Sequence, residues 1–408
     1  MKRLPGSRTT YPVSIPIYIA YRERGQIAQM IPLSIPNFDG NEKKYVMEAI
    51  ETAWVSTAGQ QIEEFENRVA EYVGASGAVA CQSGTAGLHL AMLSLGIEKG
   101  DIVLVPTLTF IAAVNPVKYI GAMPVFMDCD DFLTIDPYKI DAFCKEECEM
   151  SNGILIHKES KRRVKAIVAV HVFGNMADME ALMVIARQYH LWVIEDATEA
   201  LGTYYTDGIY EGKYAGTIGD IGVYSFNGNK IITTGGGGMI VSNNLALLNE
   251  CKHLSTQAKV DLLYFDHDEI GYNYRMTNLQ AALGLAQLEQ IEKFVQIKKN
   301  NYELYNSLEV QLLPFRKNIR PNYWFYAYQT DDRDGLIRYL NDKEIQSRPI
   351  WKLIHTLKPY ENDRSYHIER ANTYYKRIIN LPCSSNLTES DVAYVVECIK
   401  NFEENKLI

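Results

Sequence analysis

Lys230 stands between an Asn-Gly turn and four consecutive glycines in SFNGNKIITTGGGGMI, residues 225–240. A Walker-type phosphate loop needs its lysine after the glycines, and here the lysine precedes them, so that reading fails. A lysine amine can instead form a Schiff base with an aldehyde, provided burial or nearby positive charge supplies the neutral amine. Glycines just downstream would let the chain pass close to a flat ligand. Two further stretches carry chemistry. VIEDATEALG puts Asp196, next to Glu195, at the end of an apolar run. A carboxylate buried there needs a partner. A protonated pyridine nitrogen would serve, and so would the first amides of the next helix, in which case Asp196 is a cap. Ser83-Gly84-Thr85-Ala86 closes one apolar run and opens a helical one. Amides at a helix start attract phosphate, although N-capping by Ser or Thr explains the same residues. Ser225 could turn its hydroxyl to the same phosphate as Thr85.

The elements that must position these groups are legible from Val79 onward. The runs GAVAC, DIVLVP, MPVFMD, KAIVAVHVF and LWVIED alternate with helical segments beginning near Thr85, Thr109, Pro137 and Asp178. Fully apolar strands between amphipathic helices predict a mainly parallel sheet covered on both faces. IGVYSF and GMIVSN add two strands around the lysine loop. All three chemical stretches then fall beyond carboxyl ends of strands, where such sheets bind ligands. A long helical pattern from about Thr277 to Leu308 follows, and NYWFYAYQT, KEIQSRPIW and ESDVAYVVECIKNF predict a smaller α+β part. The division expected is 30–275 for the large domain and 276–408 for a linking helix and small domain. A helix over 39–55 could pack on the latter.

Composition narrows the classes. The chain has 408 residues, 47% apolar and 22% charged, which suits a globular protein. A net charge of -9 gives no electrostatic case for nucleic acid or an anionic membrane. No run is long and apolar enough to span a bilayer, and a cytoplasmic location is expected. The seven cysteines are scattered in apolar runs and read as reduced core residues. Cys144 and Cys148 share an i, i+4 spacing but no His or Cys cluster lies nearby, so no metal site is expected. Residues 1–29 start basic and carry a period-two pattern interrupted by Pro12 and Pro16, so they read as an arm or as a leader ahead of a natural start at Met30.

A phosphate stretch, then a ring-nitrogen acid, then a lysine on one α/β domain is the layout of a pyridoxal phosphate enzyme. The motifs SGTAGLHLAMLSLG, PTLTFIAAVNPV, VFMDCDD, HVFGN, IEDATEALG, GDIGVYSFNGNKIITTGGGGMIV and IGYNYRMTNLQAALGLAQLE resemble the DegT/DnrJ/EryC1/StrS family of nucleotide-sugar aminotransferases from about Ile31 to the C-terminus. STQAK, SRPIWKLIH and LPCSSNLTESD resemble its LegC-type branch, which serves legionaminic acid and bacillosamine-type sugars. The resemblance implies an aspartate-aminotransferase-like (type I) fold and pyridoxal 5'-phosphate, passing through pyridoxamine 5'-phosphate. It implies that Lys230 forms the covalent link to the cofactor and shuttles the proton between the cofactor carbon and the sugar C4. Asp196 would pair with the pyridinium nitrogen and Phe110 would stack on the ring. Gly84, Thr85, Ala86 and Ser225 would hold the phosphate, with Asn273 reaching in from the neighbouring subunit of a homodimer. Many members carry Gln or His where this chain has Glu199, and the LegC-type and bacillosamine-type branches tend to carry Glu. A carboxylate beside the cofactor's phenolic oxygen needs a shared proton or a water.

Asn227, Arg275, Arg348, Trp351 and His355 are candidates for the substrate, a ring and cations suited to a sugar and its diphosphate. Each has a plainer reading: Trp351 as packing, His355 as a solvated loop residue, Arg348 as partner of a nearby acid, Asn227 as part of the turn. His171 reads as near the cofactor edge or as a satisfied core histidine. The activity implied is transfer of an amino group from L-glutamate to C4 of a nucleotide-linked 4-keto-6-deoxy-hexose, with UDP-2-acetamido-2,6-dideoxy-hexos-4-ulose expected and a GDP-linked, perosamine-type sugar as the alternative. Dehydratases of the same fold replace the Schiff-base lysine with histidine, so Lys230 argues against that chemistry.

Overall fold

The computed structural model describes residues 30–261 and 263–404. The arm or leader expected at 1–29 lies outside them. The seven apolar runs form strands β1 (Gly77–Cys81), β2 (Ile102–Pro106), β3 (Met123–Met127), β4 (Val164–Val170), β5 (Trp192–Asp196), β6 (Ile221–Ser225) and β7 (Gly238–Ser242). An eighth, β10 (Arg364–Tyr366), comes from far beyond residue 275 and completes one sheet in the order β1-β7-β6-β5-β4-β2-β3-β10. Only β7 runs antiparallel to its neighbours. Almost every residue of these strands is buried, because helices cover both faces and no polar side of the sheet remains.

The reversal of β7 matters to function. Its register pairs Gly238 with both Cys81 and Ser225, so the amino end of β7 meets the carboxyl ends of β1 and β6. The glycine run is thereby delivered to the edge of the sheet where Ser83, Asp196 and Ser225 emerge.

Beyond the linking helices lies the smaller α+β part, with a three-stranded sheet of β8 (Tyr326–Gln329), β11 (Ile378–Leu381) and β9 (Arg348–Pro349). The helical pattern read as one element is two, Asn278–Leu288 and Ile291–Ser307. Thr277 and Gln280 form a capping box at the first start. The helix breaks at Glu289, whose carboxylate accepts hydrogen bonds from Asn41 and Tyr45 of the entry segment. The entry helix, Glu42–Glu51, is tied on by buried Glu42, which accepts from Gln287 Nε2 at 2.6 Å. All seven cysteines are unpaired and buried. Among the described residues no helix is long and apolar enough to cross a membrane.

Candidate active site

The helix Gly84–Ser94 begins where β1 ends. Ser83 caps it, its hydroxyl accepting from the Ala86 amide at 3.1 Å and its carbonyl from the Gly87 amide at 3.0 Å. Gly84 and Thr85 are the first-turn amides that Ser83 leaves over. A methyl group on Gly84 would lie 2.9 Å from Thr198 Cγ2 and 3.1 Å from Ser225 Cβ. The absent side chain therefore keeps open a cradle between the helix start, Thr198 and Ser225. Gly238 closes its far side, because a Cβ there would meet Ser83 C at 2.7 Å and Gly84 N at 2.8 Å. Small residues, free amides and a hydroxyl at a helix start form a phosphate site.

Asp196 ends β5 almost fully buried, with Oδ1 accepting from the Thr198 amide at 3.1 Å. Burial pushes its pKa up, opposed by the Thr198 hydrogen bonds and the Lys230 charge. A protonated ring nitrogen would satisfy such a carboxylate better than water could. Glu195, one residue earlier, points to the other face and is structural: it accepts from the amides of Gly216 (2.8 Å), Ile218 (2.7 Å) and Gly219 and faces His171 Nε2 at 2.8 Å. His171 Nδ1 accepts from the Ala177 amide at 3.1 Å, so the ring proton sits on Nε2 and is donated to Glu195. Both nitrogens of His171 are thus committed to holding the strand ends.

Glu199 and Lys230 face each other. Lys230 Nζ lies 3.7 Å from Glu199 Oε1, while Glu199 Oε2 accepts from the Phe173 amide at 2.8 Å. Burial lowers the pKa of Lys230, against the pull of Glu199 and Asp196 toward the ammonium. Burial also raises Glu199, against the Lys230 charge, to about 7. Each shift favours the uncharged form, which is what a lysine nucleophile requires.

Aromatic rings wall this group, and two of them, Phe173 and Trp324, were not read from the sequence as site residues. Trp324 lays its ring 4.0 Å from Lys230 Nζ, and Phe173 packs 4.9 Å from Trp351. Phe173 holds a left-handed backbone, φ 58°, unusual for a bulky side chain. NYWFYAYQT scans as a strand, and nothing in its pattern distinguishes the Trp from packing. Phe110 is 53% exposed at the loop after β2, with its ring 6.5 Å from Trp351. Trp351 is half-buried between Phe110 and Phe173, and His355 Nδ1 bonds Thr107 Oγ1 at 2.6 Å. Asn227 is exposed in the turn before Lys230, and Arg348 is exposed on β9. Arg275 bridges to Cys81 beside the cradle, and its buried Nε has no hydrogen-bond partner among the described residues. Asn273 is exposed, while Tyr272 and Tyr274 on either side turn toward His89.

A largely buried lysine, a strand-end aspartate and a small-residue anion cradle on this sheet define a pyridoxal phosphate-dependent aminotransferase. The chain belongs to the DegT/DnrJ/EryC1/StrS aminotransferase family, whose model matches residues 36–400. It is 40% identical to the GDP-perosamine synthase of Escherichia coli O157:H7, over 92% of this chain and 99% of that enzyme. It is 38% identical to that of Vibrio cholerae, over 91% and 99%. A crystal structure of a DegT DnrJ EryC1 StrS aminotransferase from Brucella abortus superposes with a TM-score of 0.82 at 26% identity, covering 89% of this chain and 95% of that one.

The residues present fit the cofactor that the family implies. The cradle that a Cβ on Gly84 would fill suits the phosphate, Asp196 suits the ring nitrogen, and Lys230 supplies the amine.

Proposed function

We propose that the protein transfers an amino group from L-glutamate to C4 of a nucleotide-linked 4-keto-6-deoxy-hexose, as a homodimer in which Asn273 completes the neighbouring site. One observation carries the reading: the Lys230 amine, its side chain 13% exposed, lies 3.7 Å from the buried carboxyl of Glu199 and within reach of the charge of buried Asp196. Pyridoxal phosphate, when bound, supplies the electron sink for loss of the donor's α proton and keeps the amino group between the two half-reactions. Lys230 takes that proton in the first half-reaction and delivers a proton to the sugar C4 in the second. Asp196 holds the ring-nitrogen proton. Glu199, with a pKa near neutrality, supplies or accepts a proton beside the lysine. Gly84, Thr85 and Ser225 orient the phosphate, the Ala86 amide joining them only by leaving the Ser83 hydroxyl, and Phe110 and Trp351 offer flat faces to rings. Arg275 and Arg348 are cations available to a substrate diphosphate.

The favoured substrate is UDP-2-acetamido-2,6-dideoxy-hexos-4-ulose, on a route to a bacterial surface sugar of legionaminic acid or bacillosamine type. STQAK, SRPIWKLIH and LPCSSNLTESD support that branch. The GDP-perosamine synthases among the relatives support a second reading, a GDP-linked 4-keto-6-deoxy sugar. Incubation with glutamate and each sugar, with product masses read directly, separates the two. Borohydride reduction of the cofactor-loaded protein should tag Lys230, and Lys230→Ala should abolish both the tag and amination. A tag on a different lysine, or amination of neither sugar, sinks the proposal.

A further inference from the structure

Trp324 holds Lys230 in two ways at once. Its ring lies 4.0 Å from Lys230 Nζ, and its indole N–H donates to the carbonyl of Asn229, the residue just before the lysine, at 2.6 Å. The side chain is 2% exposed and stacks on Phe325, ring centroids 4.0 Å apart and 7° from parallel. Its backbone is fixed too. The Trp324 amide donates to Asn322 Oδ1 at 3.0 Å, and Asn322 Nδ2 donates to the carbonyls of Glu199 and Leu201, each at 2.9 Å. One short segment therefore grips both the turn that carries Glu199 and the loop that carries Lys230.

We infer that Trp324 is a positioning residue for the reaction, its N–H setting the Lys230 backbone and its ring face holding the amine and favouring the ammonium formed when Lys230 takes a proton. The inference rests on Lys230 being the proton carrier in the amino-transfer reading. Three groups act on that amine: the Glu199 carboxyl at 3.7 Å, the Trp324 ring at 4.0 Å and, through its charge, Asp196. Burial opposes the ammonium and all three groups favour it. A lysine that must be a neutral nucleophile in one step and an acid in another needs these effects nearly balanced. An aromatic face supplies attraction to the cation without adding a third carboxylate that would itself titrate.

The test replaces the tryptophans with fluorinated tryptophans, which keep shape and N–H while weakening the ring's attraction for a cation. In cofactor-free protein, the pH dependence of Lys230 acylation by a small reagent, read by mass spectrometry, gives the midpoint of its titration. The midpoint should fall by about 0.5 pH unit across the fluorinated series. In a Trp324→Phe background the midpoint should start lower, the phenyl face being the weaker, and fluorination of the other tryptophans should leave it unmoved. That variant, lacking the N–H, should lower kcat of the glutamate half-reaction about 10-fold with KM unchanged. A midpoint indifferent to fluorination, or one that shifts equally in the Trp324→Phe background, overturns the inference. Because the labelling needs neither cofactor nor sugar, failure of sugar amination alongside the expected midpoint shift would reject the substrate reading and leave the role of Trp324 at the amine standing.

Discussion

Lys230 Nζ and Glu199 Oε1 lie 3.7 Å apart with burial driving both groups toward their uncharged forms. Glu199 rises from 4.5 to about 7, so the folded protein holds a proton that the unfolded chain has released over that window. Stability contributed by this site is present below pH 4.5 and lost as pH rises through 7, a change of about 3 kcal/mol. Glu199→Gln keeps the acceptor for the Phe173 amide and removes the titration. Denaturant unfolding of cofactor-free protein between pH 5 and 8 should show the wild type losing stability relative to Glu199→Gln by an amount of that order. A constant difference across the range would mean that Glu199 stays ionised beside Lys230.

Asp196 bears on the cofactor in a different way. Asp196→Asn preserves shape but removes the charge expected to hold the ring-nitrogen proton. The cofactor should still bind, because the Gly84 cradle is untouched, while kcat for the glutamate half-reaction falls about 10- to 100-fold, the worth of one charge-assisted hydrogen bond. Stopped-flow absorbance on the loaded variant checks both parts. Full activity in the variant would assign Asp196 to capping alone.

The four-glycine run divides by position. A Cβ on Gly238 would press on the Ser83 and Gly84 backbone at 2.7 and 2.8 Å, whereas one on Gly236 would find its nearest neighbour, Gln280 Nε2, at 3.8 Å. Gly238→Ala should cost about 1–3 kcal/mol and weaken cofactor binding by deforming the cradle. Gly236→Ala should stay within about 0.5 kcal/mol of wild type. Thermal unfolding with and without cofactor distinguishes them, and equal effects would show that the run acts as a flexible unit.

That contrast marks how far the sequence could be read. Strands with apolar residues on both faces identify themselves, because a parallel sheet buried on two sides leaves no polar alternation, and all seven runs became strands. Lys230, Asp196, Ser225 and Gly84 were legible because each sits where a strand ends. The direction of β7 was not legible, since an apolar run of that kind carries no signal for its orientation, yet it explains why Gly238 rather than any earlier glycine meets Ser83. Trp324 escaped for a related reason. It reaches Lys230 from nearly a hundred residues away, inside a stretch whose pattern is that of packing. Glu195 was legible only as an acid next to Asp196, and the backbone amides of Gly216, Ile218 and Gly219 reveal it as a buried strut.

Asn273 bears on assembly. It is exposed, its neighbours Tyr272 and Tyr274 are turned toward His89, and the strand bridge to Thr256 fixes the backbone between them. If Asn273 completes the site of a second copy, a protein carrying Asn273→Ala and one carrying Lys230→Ala should each be inactive for a different reason, the first lacking a phosphate contact and the second the amine. Mixed dimers made by co-expression then contain one site with both lesions and one with neither. Activity should return in the mixture, in proportion to the heterodimer fraction resolved by two affinity tags. If Asn273 served its own subunit, every site in the mixed dimer would carry one lesion and the mixture would stay as inactive as its parents.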